Sequence, residues 1–179
     1  KVGALEPKAH ADVQRVMLKI GRLLEVQDAQ RIWRAIDAAV MAAAQSLPAG
    51  VRGTRVYFEV NPGPYAAGES SFIGETLNRL GVKNIVPASL GPFPKLNPEY
   101  IVRGDPDLIM VGERSVDGMM QRPGWHSLRA MRGQHLCVFP AEESDTLVRP
   151  GPRMAEGARI MARCLASKAP AVSKGVARP

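Results

Sequence analysis

The sequence predicts an α/β fold: a small, mostly parallel sheet with helices on both faces, preceded by a long helix. Three observations lead there. Apolar residues recur at steps of three and four from Val13 to Ala43. From Arg55 onward, brief apolar runs alternate with helical patterns, and clusters of glycine and proline separate the two kinds of segment.

Two helices open the chain. Val13, Val16, Met17, Ile20, Leu23 and Leu24 form one apolar face; Ile32, Trp33, Ile36, Val40 and Ala43 form a second after Gln27–Asp28. The spacing predicts helices over roughly 10–25 and 28–46, the second long and alanine-rich, ended by Pro48, Gly50 and Gly53. Strands are expected at Arg55–Val60, Asn84–Val86, Leu108–Val111 and Leu136–Phe139, each a short apolar run between turn signals. Helices are expected between them at Ser70–Leu80, Asn97–Arg103 and Met154–Ala166, with Ser70 as N-cap of the first and Gly81 just past its end. The expected organisation is N-terminal helices over 1–53, an α/β lobe over 54–167 and a disordered tail over 168–179, rich in Pro, Ser, Gly and Ala.

Composition narrows the function classes. A chain of 179 residues, 45% hydrophobic, can bury one core. No apolar run approaches the ~20 residues of a membrane span. The chain starts at Lys1 without an initiator Met or a signal-peptide pattern, so a processed or truncated product is expected. The net charge of +7 is concentrated at the C-terminal end: residues 151–179 hold six basic side chains and one acidic, whereas 61–150 hold nine and ten. With no basic stripe interleaved with aromatics, a nucleic-acid partner is not expected.

Cys137 and Cys164 match no metal spacing. The leading reading is two small buried hydrophobes, ahead of a single disulfide between them. His10, His126 and His135 are scattered, so no side-chain metal site is expected; the last two read as surface residues and His10 lies near the chain start.

The stretch VYFEVNPGPYAAGESSFIGETL, Val56 to Leu77, has the strand–loop–helix layout of a phosphate cradle or a nucleophile elbow. It satisfies neither. No lysine follows Gly68 where a P-loop needs one, G-x-G-x-x-G is absent, and Gly68-Glu69-Ser70-Ser71-Phe72 departs from G-x-S-x-G. Ser70 and Ser71 read as helix-start residues. An enzyme is not expected, nor a resident cofactor.

Four stretches carry a resemblance: NPGPYAAGESSFIGETLNRLGVKNIV, PKLNPEYIVRGDPDLIMVG, RPGWHSLRAMRGQHLCVFP and SDTLVRPGPRMAEGARIMARCL. In this order the chain resembles the C-terminal half of periplasmic substrate-binding proteins whose two lobes are joined by a long rigid helix. These serve ABC importers of cobalamin, haem and ferric siderophores, and the cobalamin binders look nearest. The resemblance implies a periplasmic solute receptor, with the long helix linking the lobes and a metal-chelate ligand (corrinoid, haem or ferric siderophore) held between them. It places Tyr65 and Phe93 as aromatics facing the ligand, Phe93 standing where the cobalamin binders have tryptophan. Asp145 and Arg149, four apart ahead of G-P-R, line the cleft, and Glu99 docks on arginines of the membrane permease. Leu80 stands where those relatives have a cysteine, so Cys164 lacks that partner. The first lobe of the family is not represented.

The chemistry suits that reading. A flat, largely apolar macrocycle with polar arms wants aromatic faces and a few aimed charges, and Arg149 could fork onto a carboxylate. Plainer readings stand beside it. Tyr65 and Phe93 could plug loops against the core, Asp145 and Arg149 could pair only with each other, and Glu99 could be an ordinary helix-face acid. Trp33 and Trp125 read as core or turn anchors. Two further function classes stay open: a single-lobe interaction module without high-affinity ligand binding, and an α/β nucleotide binder or enzyme. The apolar Val13–Leu24 face, without a second lobe, predicts self-association.

Overall fold

The computed structural model describes residues 7–170. Its sheet is built around β1 (Arg55–Asn61). On one side β1 pairs in parallel with β4 (Leu108–Gly112), which pairs in parallel with β5 (Leu136–Phe139). On its other side the N-terminal half of β1 pairs in parallel with β3 (Lys83–Asn84), and its C-terminal half antiparallel with β2 (Tyr65–Ala66). The alternation of a strand then sorts side chains to two faces. Val56 and Phe58 of β1, Leu108 and Met110 of β4, and Cys137 and Phe139 of β5 join one apolar cluster. Tyr57, Ile109 and Val111 join the other. Both faces are covered, which is why these strands read as near-continuous apolar runs.

The first face carries four helices: α2 (Ala29–Gln45), α3 (Phe72–Arg79), α7 (Ala141–Val148) and α8 (Met154–Lys168). On α2, Trp33, Ile36, Val40 and Ala43 are buried at helical spacing, as the sequence predicts, whereas Ile32 of the expected face is exposed. The second face carries α4 (Pro98–Gly104), α5 (Glu113–Met120) and α6 (Arg129–Arg132). Among the described residues no helix is long and apolar enough to cross a membrane.

Ahead of them, α1 (His10–Leu23) folds back on α2. Its start is tied to α3: the Phe72 N–H donates to the Lys8 carbonyl at 2.6 Å, and the His10 ring lies 2.9 Å from the Thr76 hydroxyl. Among the described residues its far end is not covered. Ile20, Leu23, Leu24, Val26 and Ile32 are all exposed where α1 turns into α2.

The differences from expectation have local causes. The N-cap of α3 is Ser71 rather than Ser70, its Oγ accepting from the Gly74 N–H at 3.0 Å. Gly81 follows with φ +84, as a C′ glycine should. The third strand is Lys83–Asn84 rather than Asn84–Val86 because the Asn84 side chain intervenes. It accepts from the Val86 N–H at 2.9 Å and donates to the Ala67 carbonyl at 2.8 Å, bending the chain off the ladder. Lys168 still belongs to α8, and residues 171–179 of the expected disordered tail lie outside the described residues.

One reading of the cysteines is corrected. Both are buried, but they are bonded to each other, Cys137 of β5 to Cys164 of α8, with 6.0 Å between Cα atoms. Cys137 faces the helical layer and Cys164 lies on the side of α8 that packs against the sheet. Adjacency of the last strand and the last helix makes the pair; spacing along the chain could not show it.

Candidate functional site

The parallel strands β1, β4 and β5 end on one edge, where open α/β sheets form their crevices. A cleft of about 150 Å³ lies there. Its walls are the last residues of β1 (Val60–Pro62), the β4–α5 junction (Gly112–Ser115) and the exposed flank of α7, including Ser144 and Asp145.

Beyond β1, two prolines stiffen the turn Asn61-Pro62-Gly63-Pro64-Tyr65, and Gly63 takes a φ of +139 that other residues rarely adopt. The turn returns Tyr65 opposite Asn61. Tyr65 is 38% exposed, and the Lys95 ammonium sits 5.9 Å from its ring centroid. The segment carrying Phe93 runs alongside. The Ala66 N–H donates to Pro94 O at 3.0 Å, the Gly68 N–H to Pro92 O at 2.9 Å, and the Leu96 N–H to Pro64 O at 3.1 Å. A side chain at Gly68 would collide with the Gly91 carbonyl, so glycine is what permits this approach. Tyr65 and Phe93 are thus brought to one ribbon. Phe93 is half-buried, its ring edge-to-face with Phe72.

Asp145 and Arg149 stand at the other end of the edge, on and just after α7. Arg149 donates to Asp145 at 3.0 Å, with the side chains 66% and 57% exposed respectively. From β2 through β1 and β4 to β5 are three interstrand steps, roughly 14 Å at about 4.8 Å each. Of the four residues expected to face a ligand, Asp145 lines the cleft, whereas Tyr65, Phe93 and Arg149 lie outside its walls. Glu99 is exposed in the first turn of α4, where Asn97 accepts from its N–H at 3.0 Å. It follows by three residues Leu96, whose N–H donates to Pro64 of the Tyr65 turn.

Sequence reasoning missed a buried ion pair behind this edge. Glu59, fully enclosed in β1, accepts from both terminal nitrogens of Arg122 at 2.5 and 2.9 Å and from the Tyr57 hydroxyl at 3.1 Å. The Arg122 guanidinium lies 4.6 Å from the Trp125 ring centroid, and Trp125 meets Tyr57 edge-to-face. Burial pulls the Arg122 pKa down, but the hydrogen bonds and charge of Glu59 outweigh it and hold the value above the usual range. Burial, then the Glu59 charge, pushes the Tyr57 phenol well up. The available signals were an acid inside the apolar strand VYFEV and an arginine opening the rigid turn RPGW.

Among the described residues, no group of three or more His, Cys, Asp or Glu could hold a metal ion. His126 is exposed and His135 half-buried, whereas His10 is packed against α3 and its pKa lies below the ordinary value, burial being the main cause.

The periplasmic heme-binding protein of Roseiflexus sp. superposes with a TM-score of 0.70 at 19% identity, over 90% of this chain and 65% of that one. The Fe3+-hydroxamate transport system protein of Saccharomonospora viridis gives 0.72 at 19%, over 93% and 59%. The periplasmic vitamin B12 binding protein of Vibrio cholerae gives 0.70 at 18%, over 90% and 63%. In each case the chain spans less than two thirds of the neighbour's length. A search of curated protein sequences finds no match. The periplasmic binding protein family matches residues 2–143, most of the chain, and to that family this protein belongs.

Proposed function

We propose that the chain is the C-terminal lobe and linking helices of a solute receptor that delivers a metal chelate to an ABC importer. The ligand class is a corrinoid, haem or ferric siderophore, and the compartment is the periplasm. One observation carries the reading furthest: the start of the stiff turn that leads to Tyr65, Asn61–Pro62, and Asp145, the partner of Arg149, line one cleft at the strand ends. Tyr65 offers an aromatic face on a support that loses little entropy when ligand arrives. Arg149, already exposed, exchanges its weak pairing with Asp145 for an acidic or amide arm of the ligand. Phe93 backs the aromatic wall through Phe72 more than it faces solvent. Glu99 provides the permease contact. The neighbours' names span heme, Fe3+-hydroxamate and vitamin B12, which fits the class without choosing within it. The role proposed is binding, for which the edge offers an aromatic face and an ion pair.

Titration of a two-lobed form with haemin, cyanocobalamin and ferrichrome tests this. One of the three should bind tightly, and Tyr65→Ala with Phe93→Ala should weaken it more than tenfold. Failure of all three to bind would overturn the ligand class. The lobe alone, offering one wall, should bind weakly. A second reading is favoured by the exposed apolar end of α1 and α2: as an isolated polypeptide the lobe associates with a second copy.

A further inference from the structure

We propose that Glu59 is a positioning residue that holds two of the three walls of the cleft, the end of β1 and the start of α5, at a fixed separation. Glu59 pairs in register with Ala66 of β2 and Val111 of β4. The β1–β2 register shifts between it and Asn61, so the Tyr65 turn leaves the sheet at this residue. The first wall of the cleft, Val60–Pro62, follows it directly. The second wall is the first turn of α5, Glu113–Ser115, and Arg122 lies two residues past the end of that helix. One carboxylate, gripped by both arms of the Arg122 fork and by Tyr57, therefore joins the strand end that carries one wall to the helix that carries the other. The indole of Trp125 closes the group by covering the guanidinium.

Stability alone does not account for this arrangement. A buried ion pair can often be exchanged for apolar side chains of similar volume at no loss of stability, whereas removal of one partner leaves a charge stranded. A bidentate fork adds orientation, since two parallel hydrogen bonds fix both the distance and the plane of the partners. An apolar pair in its place keeps the layers together but lets α5 slide against β1. The expected consequence is a lobe that stays folded while its cleft loses definition.

The test compares the parent lobe with Arg122→Lys, which keeps the charge and loses the fork, and with the charge-free pair Glu59→Leu, Arg122→Met. Amide hydrogen exchange is followed at Tyr65–Ala67 and Arg114–Val116, with Ile109–Val111 of β4 as the internal standard. At least tenfold faster exchange in the two wall segments, with β4 unchanged and melting within a few degrees of the parent, is expected. Unchanged wall exchange in either folded variant overturns the proposal, as does acceleration spread evenly over the sheet, which would mean a purely structural pair. If the charge-free pair does not fold, Arg122→Lys decides by the same criterion. The ligand arm rests on the receptor reading: in a two-lobed form, affinity for whichever of haemin, cyanocobalamin or ferrichrome binds the parent should fall at least tenfold in Arg122→Lys. A parent that binds none of the three counts against that reading, while the exchange result still decides this one.

Discussion

Phe93 packs edge-to-face on Phe72, with ring centroids 6.0 Å apart and planes at 62°. Phe72 opens α3 and lies in the cluster that includes Leu147 of α7, so the contact ties the Phe93 ribbon to the helical layer. Phe93→Ala should therefore cost stability, about 1–3 kcal/mol for a half-buried aromatic, below the full core range. Tyr65→Ala, which removes an exposed ring, should stay within about 0.5 kcal/mol. Urea unfolding of the two variants checks this. Equal losses would mean that Tyr65 too is a structural plug.

The Cys137–Cys164 bond joins residues 27 apart. A closed loop of that length restricts the unfolded chain enough to stabilise the fold by about 3.5 kcal/mol in the chain-entropy account. Reduction, or the pair Cys137→Ala and Cys164→Ala, should lower the urea midpoint accordingly. Mass spectrometry of the unreduced protein should find no free thiol at either residue.

His10 predicts a pH dependence. Its Nε2 lies 3.0 Å from the Phe72 carbonyl and its Nδ1 faces Arg79 at 3.4 Å, an arrangement that suits the neutral ring. Burial lowers its pKa most, Glu75 opposes, Arg79 lowers it further, and Asp37 from α2 raises it slightly. The folded state therefore binds this proton less readily than the unfolded chain, whose pKa is near 6.5. The contribution of the site to stability is full above 6.5, falls as pH drops below it, and levels off once the folded-state pKa is passed. Urea midpoints across this range, with His10→Gln as the reference, should show the parent losing more. A His10 ring signal titrating at or above 6.5 would contradict it.

The elements that were legible in the sequence are those whose signal is local. Leu136–Phe139 is an apolar run bounded by His135 and Pro140, and Met154–Lys168 has a buried stripe; both were placed closely. Helix α5 is not legible because ERSVDGMM buries only Ser115 and Met119 and carries three charged residues and a glycine. Helix α7 has no apolar stripe to mark it, since Glu142, Glu143 and Asp145 surround only two buried residues, Thr146 and Leu147. The site divides the same way. Tyr65 and Phe93 sit in proline-marked loops that draw attention in the sequence. Glu59 and Arg122 lie 63 residues apart and meet only because α5 returns the chain beneath β1.

Glu99 occupies the first turn of α4, just after Pro98, where a negative charge complements the helix dipole. Charge reversal with Glu99→Lys should therefore cost about 0.3–1 kcal/mol, not zero. If Glu99 is the permease contact, the same change in a two-lobed protein should abolish uptake while leaving ligand affinity near that of the parent, because rim charges govern docking more than the distant cleft. Uptake that survives the reversal would remove Glu99 from the docking surface.

The turn between α1 and α2 supplies the last prediction. Leu23 and Leu24 are 74% and 68% exposed, and Ile20, Val26 and Ile32 surround them. Leucines this exposed contribute little to the fold of the lobe, yet each offers on the order of 1.5–3 kcal/mol if buried against a partner. Two copies meeting at this point would hide the same residues from both sides, as a two-fold contact requires. The isolated lobe should therefore show concentration-dependent mass in light scattering. Leu23→Ser with Leu24→Ser should shift it to monomer without lowering the melting temperature by more than a few degrees. Parent protein that stays monomeric at high concentration would leave the patch without a second copy as its occupant.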